Sequence, residues 1–182
     1  MNKILFWNVD TQNDFMLKGG KLYVEGAETI IPNLKKLTEF AKDYRLRVVN
    51  TFDWHTPASK EISDNPDFKT TFPSHCLAHT RGAYSIKEAA VENAFIVEHG
   101  NQNEDIMLHQ LDKYRNVAVL KDAFDVFEGN PLTDKLLKLL NPELTVVYGV
   151  ATNVCVNYAV LGLVRRGRRV TDFYLMNILN VI

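Results

Sequence analysis

Residues 144–166 read LTVVYGVATNVCVNYAVLGLVRR, and this stretch decides the fold. Its first part, Leu144–Val150, is apolar and rich in β-branched residues, which predicts a buried strand. The following segment Asn157–Arg166 has helical spacing and stops before Gly167, a common residue after a helix end. Cys155 stands between the two. Because a helix start carries partial positive charge, we expect this position to favour the reactive thiolate form of the cysteine.

The same alternation of short apolar runs and longer amphipathic stretches extends along the chain. Strand–helix alternation with strands buried on both faces is typical of α/β proteins, so we predict a three-layer α/β/α fold with a mainly parallel six-stranded sheet. The predicted strands are Lys3–Val9, Arg47–Thr51, Ala94–Val97, Asn116–Leu120, Leu144–Val150 and Arg169–Leu175. The predicted helices are Ala27–Tyr44, Asp105–Lys113, Pro131–Leu140 and Asn157–Arg166.

Composition narrows the class of protein. The 182 residues are most simply one domain, residues 1–182, and 46% hydrophobic residues are enough to bury a core. A net charge of −1 provides no basic surface for nucleic acid, and no apolar run is long enough for a membrane span, so we expect neither as a partner. Two cysteines are too few for a disulfide framework, which favours a cytoplasmic location.

Three residues capable of acid–base or nucleophilic chemistry follow predicted strands: Asp10, Lys121 and Cys155. Ligands of parallel sheets bind beyond the carboxyl ends of the strands, so these residues can converge. A cysteine nucleophile needs a base, here Asp10, and a nearby cation, here Lys121. The backbone amides of Ala151 and Cys155 can form an oxyanion hole. A small buried cysteine and a turn-capping aspartate would explain the same residues without chemistry, and spacing alone leaves that alternative open.

A second polar group follows the second predicted strand. Asp53 and His55 are two residues apart, so in an extended segment their side chains point to the same side. His75 and the acidic Glu61 lie further along the same long loop and can complete a metal site. Mixed nitrogen and oxygen ligands suit Zn, Mn or Fe. The alternative is that these are solvated surface side chains.

Two aromatic residues flank these groups in the sequence. Phe15 follows Asp10, and Phe72 precedes His75. Together they can hold a flat ring in a pocket. The alternative is that both pack in the hydrophobic core, and the residues alone favour this alternative.

Five short motifs follow one another in the chain: VDTQNDF at 9–15, DWH at 53–55, FPSHC at 72–76, KDAF at 121–124 and GVATNVCV at 149–156. Together they resemble the isochorismatase-like cysteine hydrolases, and among these the nicotinamidases. The resemblance extends from about Lys3 to Arg166. It implies the isochorismatase-like fold and a catalytic triad of Asp10, Lys121 and Cys155.

The resemblance also assigns the remaining site residues. It implies a cis peptide bond between Val150 and Ala151, and an oxyanion hole at Ala151 and Cys155. The implied metal ligands are Asp53, His55 and His75, with Glu61 at a position where a further ligand varies between relatives. The implied ring-flanking residues are Phe15 and Phe72. The implied metal is divalent, with Zn expected first and Mn or Fe as alternatives.

The implied reaction converts nicotinamide and water to nicotinate and ammonia through a thioester. Ureido, carbamoyl or maleamic amides are alternative substrates, and a non-enzymatic assembly protein on the same scaffold is a third possibility. Asn153 replaces the usual aspartate of the cysteine motif. After Arg166 the sequence departs from the resemblance, so we expect an altered last strand and no closing helix. An uncovered apolar edge predicts a homo-oligomer.

Overall fold

A six-stranded parallel sheet forms the centre of the protein in the computed structural model, which describes residues 3–98 and 103–172. Its strands lie in the order β3-β4-β2-β1-β5-β6, and every neighbouring pair is parallel. The strands are β1 Ile4–Val9, β2 Arg47–Asp53, β3 Ala94–Val97, β4 Asn116–Lys121, β5 Leu144–Gly149 and β6 Val170–Asp172. The predicted α/β fold with a parallel sheet is therefore confirmed.

Helices cover both faces of the sheet. They are α1 Asn13–Met16, α2 Ile31–Asp43, α3 Glu104–Lys113, α4 Val126–Gly129, α5 Leu132–Leu140 and α6 Asn157–Arg165. Successive strand residues point to opposite faces, so in β1 Trp7 packs with α3, α5 and α6, while Phe6 packs with α1 and α2. Within the described ranges, no helix has the length and apolar character needed to cross a bilayer.

Most predicted element ends lie within two residues of the observed ones, and a few differences are larger. Residues 27–44 are not one helix, because the 3₁₀ turn Ala27–Ile30 precedes α2. Pro32 lies at the start of α2, where its missing N–H is tolerated. The predicted strand Arg169–Leu175 is observed at Val170–Asp172, and its residues 173–175 lie outside the described part. The short helices α1 and α4 were not predicted, since four residues carry too little periodicity.

The turn that carries Cys155 is also different from the prediction. β5 ends at Gly149, and residues Thr152–Val156 form a single turn of π-helix before α6 begins. Such turns are rare and are frequently found at functional sites. Cys155 therefore lies within a wide helical turn, buried against the sheet, rather than at an exposed helix start.

Candidate active site

Four adjacent strands direct the predicted site residues to one edge of the sheet. Asp10 follows β1, Asp53 ends β2, Lys121 ends β4, and Cys155 lies in the turn after β5. Because the strands are parallel, their carboxyl ends meet at this edge. Asp10 has φ of 48°, a left-handed conformation in which aspartate is among the better-tolerated residues. All four side chains are buried.

Lys121 is the centre of this group. Its Nζ lies 2.9 Å from Oδ2 of Asp10 and 3.8 Å from Sγ of Cys155, and it also forms an ion pair with Oδ1 of Asp53. Burial opposes the charge of the ammonium, but Asp10 and Asp53 outweigh it and raise the pKa of Lys121 well above its usual value. Lys121 is therefore a buried, permanently charged cation, held between two carboxyl groups.

The acid and the thiol lie next to each other. A carboxylate oxygen of Asp10, one of Asp53 and Sγ of Cys155 lie within 4.8 Å of one another. Burial raises the pKa of Asp10, with Lys121 opposing, and a hydrogen bond of 2.6 Å from Thr51 Oγ1 holds its Oδ1. A carboxylate with a raised pKa is a stronger proton acceptor than an ordinary aspartate.

The thiolate expected from the helix start is not supported. Burial raises the pKa of Cys155 well above the ordinary thiol value, and the charge of Lys121 lowers it by less than burial raises it. The prediction was wrong because the dipole argument left out the loss of hydration. The raised pKa favours the protonated thiol, which needs a base to become a nucleophile.

The backbone before Cys155 is tightly constrained. The Val150–Ala151 peptide bond is cis, as predicted. Gly149 has φ of 132°, and a Cβ at this position would lie 2.0 Å from the carbonyl oxygen of Val9. Glycine is therefore required where β5 passes β1. Ala151 and Cys155 then line the same cavity, which puts the predicted oxyanion-hole residues on one wall.

The predicted metal ligands converge beside the triad. One ligand atom from each of Asp53, His55 and His75 lies within 4.8 Å of the other two. Oδ2 of Asp53 is 3.6 Å from Nε2 of His55 and 3.7 Å from Nε2 of His75. Ligand atoms in a tetrahedral site with bonds of about 2.0–2.1 Å are separated by roughly 3.4 Å, so the group is close to the spacing that a metal needs.

Hydrogen bonding in this group also fits a metal. Nδ1 of His75 lies 2.8 Å from the carbonyl oxygen of Pro73 and donates to it, so Nε2 is the ring nitrogen directed toward Asp53. Both ring nitrogens of His55 are buried without a hydrogen-bond partner. A short parallel pairing fixes the backbone of His55 beside the segment that carries His75, which we call the histidine loop. The N–H of His55 donates to the carbonyl of Cys76, and its carbonyl accepts from the N–H of Ala78. Orphaned, pre-oriented nitrogens are what a cation would satisfy.

Glu61 lies at the border of this group and is not one of the three converging residues. Its Oε1 accepts a hydrogen bond of 2.8 Å from the amide of Phe124, and its Oε2 is 4.0 Å from Nε2 of His55 without a hydrogen-bond partner. Burial, with Asp53 adding to it, raises the pKa of Glu61 to about 7. Oε2 of Glu61 is therefore placed where it can act as a further ligand of a metal bound by Asp53, His55 and His75, at a greater distance than these three.

A cavity of about 180 Å³ opens above the thiol and the metal group. Its walls are mostly apolar, and several are aromatic: it is lined by Phe15, Leu22, Tyr23, Val24, Asp53, Phe72, His75, Phe124, Ala151, Val154 and Cys155. The ring centroids of Phe15 and Phe72 lie 5.5 Å and 6.3 Å from that of His75. The two phenylalanines named from the sequence thus both face the cavity, and they are not confined to the core.

Several residues of the site were not singled out from the sequence. Gln12 is fully buried, and its side-chain amide pairs with the backbone of Asp53 in both directions, at 2.8 Å each, and with the carbonyl of Ala83. Asp14 accepts a hydrogen bond of 2.8 Å from the amide of Cys76 and so holds the histidine loop. Both residues belong to the first motif, but only the fold reveals their distant partners.

The comparisons with known proteins agree with this geometry. The Isochorismatase domain model matches residues 4–171. The nicotinamidase/pyrazinamidase of Mycobacterium tuberculosis is 30% identical, over 87% of this chain and 77% of that protein. The pyrazinamidase of Pyrococcus horikoshii in complex with zinc aligns with a TM-score of 0.69 at 24% identity, over 93% of this chain and 83% of that one.

A fourth comparison widens the range of activities on this fold. The N-carbamoylsarcosine amidase of Thermoplasma acidophilum aligns with a TM-score of 0.70 at 20% identity, over 94% of this chain and 81% of that one. At that identity the likeness concerns the fold alone. The domain match over nearly the whole chain, together with the identity to the mycobacterial protein, is decisive: the chain belongs to the isochorismatase family.

Proposed function

We propose that this protein is a cysteine-dependent amidohydrolase that converts nicotinamide and water to nicotinate and ammonia. The observation that carries the proposal is one cavity that joins the acid–lysine–thiol group to a three-residue metal group under aromatic walls. The 30% identity to a nicotinamidase/pyrazinamidase supports it independently. The converging histidines favour this substrate over ureido, carbamoyl or maleamic amides, which need no ring-holding metal.

Cys155 is the proposed nucleophile, and Asp10 the proposed base. Asp10 takes the thiol proton, and Sγ bonds to the carboxamide carbon, while the oxyanion is held by the amides of Ala151 and Cys155. The C–N bond then breaks, and the nitrogen leaves as ammonia with the proton from Asp10. Water gives a proton to Asp10 and attacks the thioester. The C–S bond breaks, which releases the acid, and the proton on Asp10 returns to Sγ and restores the thiol.

Lys121 supports both states of this cycle. The transient thiolate lies 3.8 Å from its ammonium, and the carboxyl of Asp10 lies 2.9 Å from it. In a buried site, a fixed cation beside a developing anion stabilises it more than water-exposed charges would. The charge of Lys121 is itself secured by Asp53, so the cation does not need to be recruited during the reaction.

Asp53, His55 and His75 would hold a divalent metal, with Glu61 as an outer ligand. Bound there, the ion would supply a Lewis acid for the ring nitrogen of the substrate and fix its orientation. The protein supplies the remaining positioning. Phe15 and Phe72 offer ring faces next to His75, and the mostly apolar walls surround the ring of the substrate.

The test is ammonia release from nicotinamide by the purified protein with defined added Zn²⁺, Mn²⁺ or Fe²⁺. Cys155→Ala should lose turnover, because the variant lacks the Sγ on which the proposed acyl intermediate forms. Cys76→Ala is the matched control. Cys76 is the other buried, unpaired cysteine and takes no part in the proposed chemistry, so that variant should retain turnover.

The outcomes separate the hypotheses. Metal-dependent release that is lost only in Cys155→Ala supports the proposal. Retained release in Cys155→Ala contradicts the nucleophile assignment. No release from a folded, metal-loaded protein rejects nicotinamide as the substrate, and ureido and carbamoyl amides would then be assayed with the same pair of variants.

A further inference from the structure

A basic cleft lies at the opposite edge of the sheet from Cys155, where the strands begin. This cavity of about 260 Å³ is lined by Arg45, Arg47, Lys113 and Arg115, with Asp112 as its acidic residue. Four cations and one carboxylate give the cleft a net charge of +3, whereas the whole chain carries −1. Positive charge is therefore concentrated at this place, and an even distribution of charge does not account for it.

Two arginines of the basic cleft are at the same level on neighbouring strands. Arg47 opens β2 and Arg115 directly precedes β4, and the next residues, Val48 and Asn116, are paired in the sheet. The amide of Val48 also donates to the carbonyl of Arg115 at 3.3 Å. The sheet thus fixes the spacing of the two backbones, and both residues line the same cleft.

Backbone carbonyls hold these two guanidinium groups in place. Arg47 donates to the carbonyl of Tyr114 at 3.0 Å and to that of Leu111 at 2.6 Å, and Arg115 donates to the carbonyl of Leu46 at 2.9 Å. In residues 3–98 and 103–172, neither arginine forms a salt bridge with a carboxylate. Neutral carbonyls accept the hydrogen bonds that orient the two groups. Asp112 acts on Arg47 and Glu92 on Arg115 by charge attraction without a salt bridge, and the cleft keeps a net positive charge for another partner.

Capping of a helix explains only part of this arrangement. Leu111 lies in the last turn of α3, so Arg47 satisfies carbonyls at that helix end. A guanidinium has five N–H donors, of which Arg47 uses two and Arg115 one in these contacts. Both arginines are only partly buried, and none of their side-chain nitrogens is buried without a hydrogen-bond partner, so part of each guanidinium remains for a ligand. Partial burial lowers the pKa of both arginines, which an anion would reverse.

We propose that the basic cleft binds a phosphorylated small molecule, with its phosphate across Arg47 and Arg115 and with Arg45 and Lys113 at the rim. Planar guanidinium forks match phosphate oxygens in a way that ammonium groups do not. A concave site of this size suits a small ligand rather than a nucleic acid, for which the overall charge of the chain is unfavourable. The site is separate from the proposed catalytic cavity, with which it shares no lining residue.

The test is calorimetric titration of the full-length protein with inorganic phosphate, at constant ionic strength maintained with potassium chloride. The double variant Arg45→Gln/Lys113→Gln removes two rim charges without touching the clamped arginines. The matched control Lys35→Gln/Lys36→Gln removes two exposed charges from the other end of α2. A third variant, Arg115→Lys, keeps the charge but removes the fork.

Saturable binding by the wild type and the control, weakened about tenfold in the double variant and in Arg115→Lys, is the expected result. Circular dichroism and thermal melting establish that each variant is folded. Absence of saturable binding to the wild type overturns the proposal. Equal weakening in the control and the double variant also overturns it, because binding would then follow overall charge and not the basic cleft.

Discussion

Replacing Gln12 with methionine tests how the metal group is held. The two side chains have similar length and volume, but methionine lacks the amide that bonds to the N–H and carbonyl of Asp53 and to the carbonyl of Ala83. A buried polar group that loses its partner costs about 1–3 kcal/mol. Each of the two carbonyl oxygens retains a second lone pair, so the cost of its lost hydrogen bond lies at the lower end of this range. The summed cost for the two carbonyls and the N–H of Asp53 is about 4 kcal/mol. For a chain of this size, that lowers the Tm by roughly 10 °C.

The distinguishing measurement is metal affinity. Because the backbone of Asp53 would no longer be fixed, we expect the affinity for Zn²⁺ to fall about 10–100-fold, as is typical for the loss of a second layer of hydrogen bonds. Asn13→Leu is the control, since Asn13 donates to the carbonyls of Arg81 and Tyr84 in the same loop region but, within the described part of the chain, its side chain forms no hydrogen bond with a proposed metal ligand. A competitive chelator titration gives both affinities.

Two results are informative against this reasoning. If Gln12→Met melts at a lower temperature but binds Zn²⁺ as tightly as the wild type, Asp53 keeps its place without Gln12 and the reasoning is refuted. If Asn13→Leu loses the same affinity, the effect comes from general loosening of residues 81–84 and not from the Gln12–Asp53 pairing.

Three further substitutions probe other parts of the molecule. Lys121→Met leaves Asp10 and Asp53 without their shared cation. The free energy of unfolding, measured with urea at neutral pH, should therefore fall by about 3–5 kcal/mol. An unchanged urea midpoint would contradict the importance of these buried ion pairs. The backbone amides around Asp67 hold its pKa below the ordinary value, so its stabilisation is complete above about pH 4 and is lost at lower pH. The Tm difference between wild type and Asp67→Asn should therefore shrink as the pH falls from about 6 to 2, and a constant difference would count against the sign. Phe124→Ala should raise the KM for nicotinamide about tenfold with kcat little changed, unless this ring does not face the substrate.

The sequence was sufficient to predict the parallel sheet and the convergence of the three triad residues. Each of Asp10, Lys121 and Cys155 follows an apolar run, and parallel strands bring such positions to one edge whatever the loops between them do. The same argument placed Asp53 there. The residues alone offered His75 and Glu61 only as two members of the same loop that can complete the site, because the long loop between β2 and β3 has little periodicity and is fixed by isolated contacts such as the pairing of His55 with Leu77.

Other features depend on contacts between distant parts of the chain. Gln12 is polar and follows a strand, which indicates an exposed residue, yet it is fully buried because Asp53 and Ala83, 41 and 71 residues away, provide its partners. The charge state of Cys155 was predicted wrongly for a related reason: position along a helix can be read locally, whereas burial is a property of the whole fold.

Asp53 has consequences for redesign. It gives one carboxylate oxygen to Lys121 and directs the other toward His55 and His75. Removing Asp53 to abolish metal dependence would also unbalance the lysine on which the thiol depends. Replacing the two histidines by apolar residues would leave that charge balance intact. A metal-independent hydrolase on this scaffold should therefore be sought by changing the imidazoles and retaining the carboxylate.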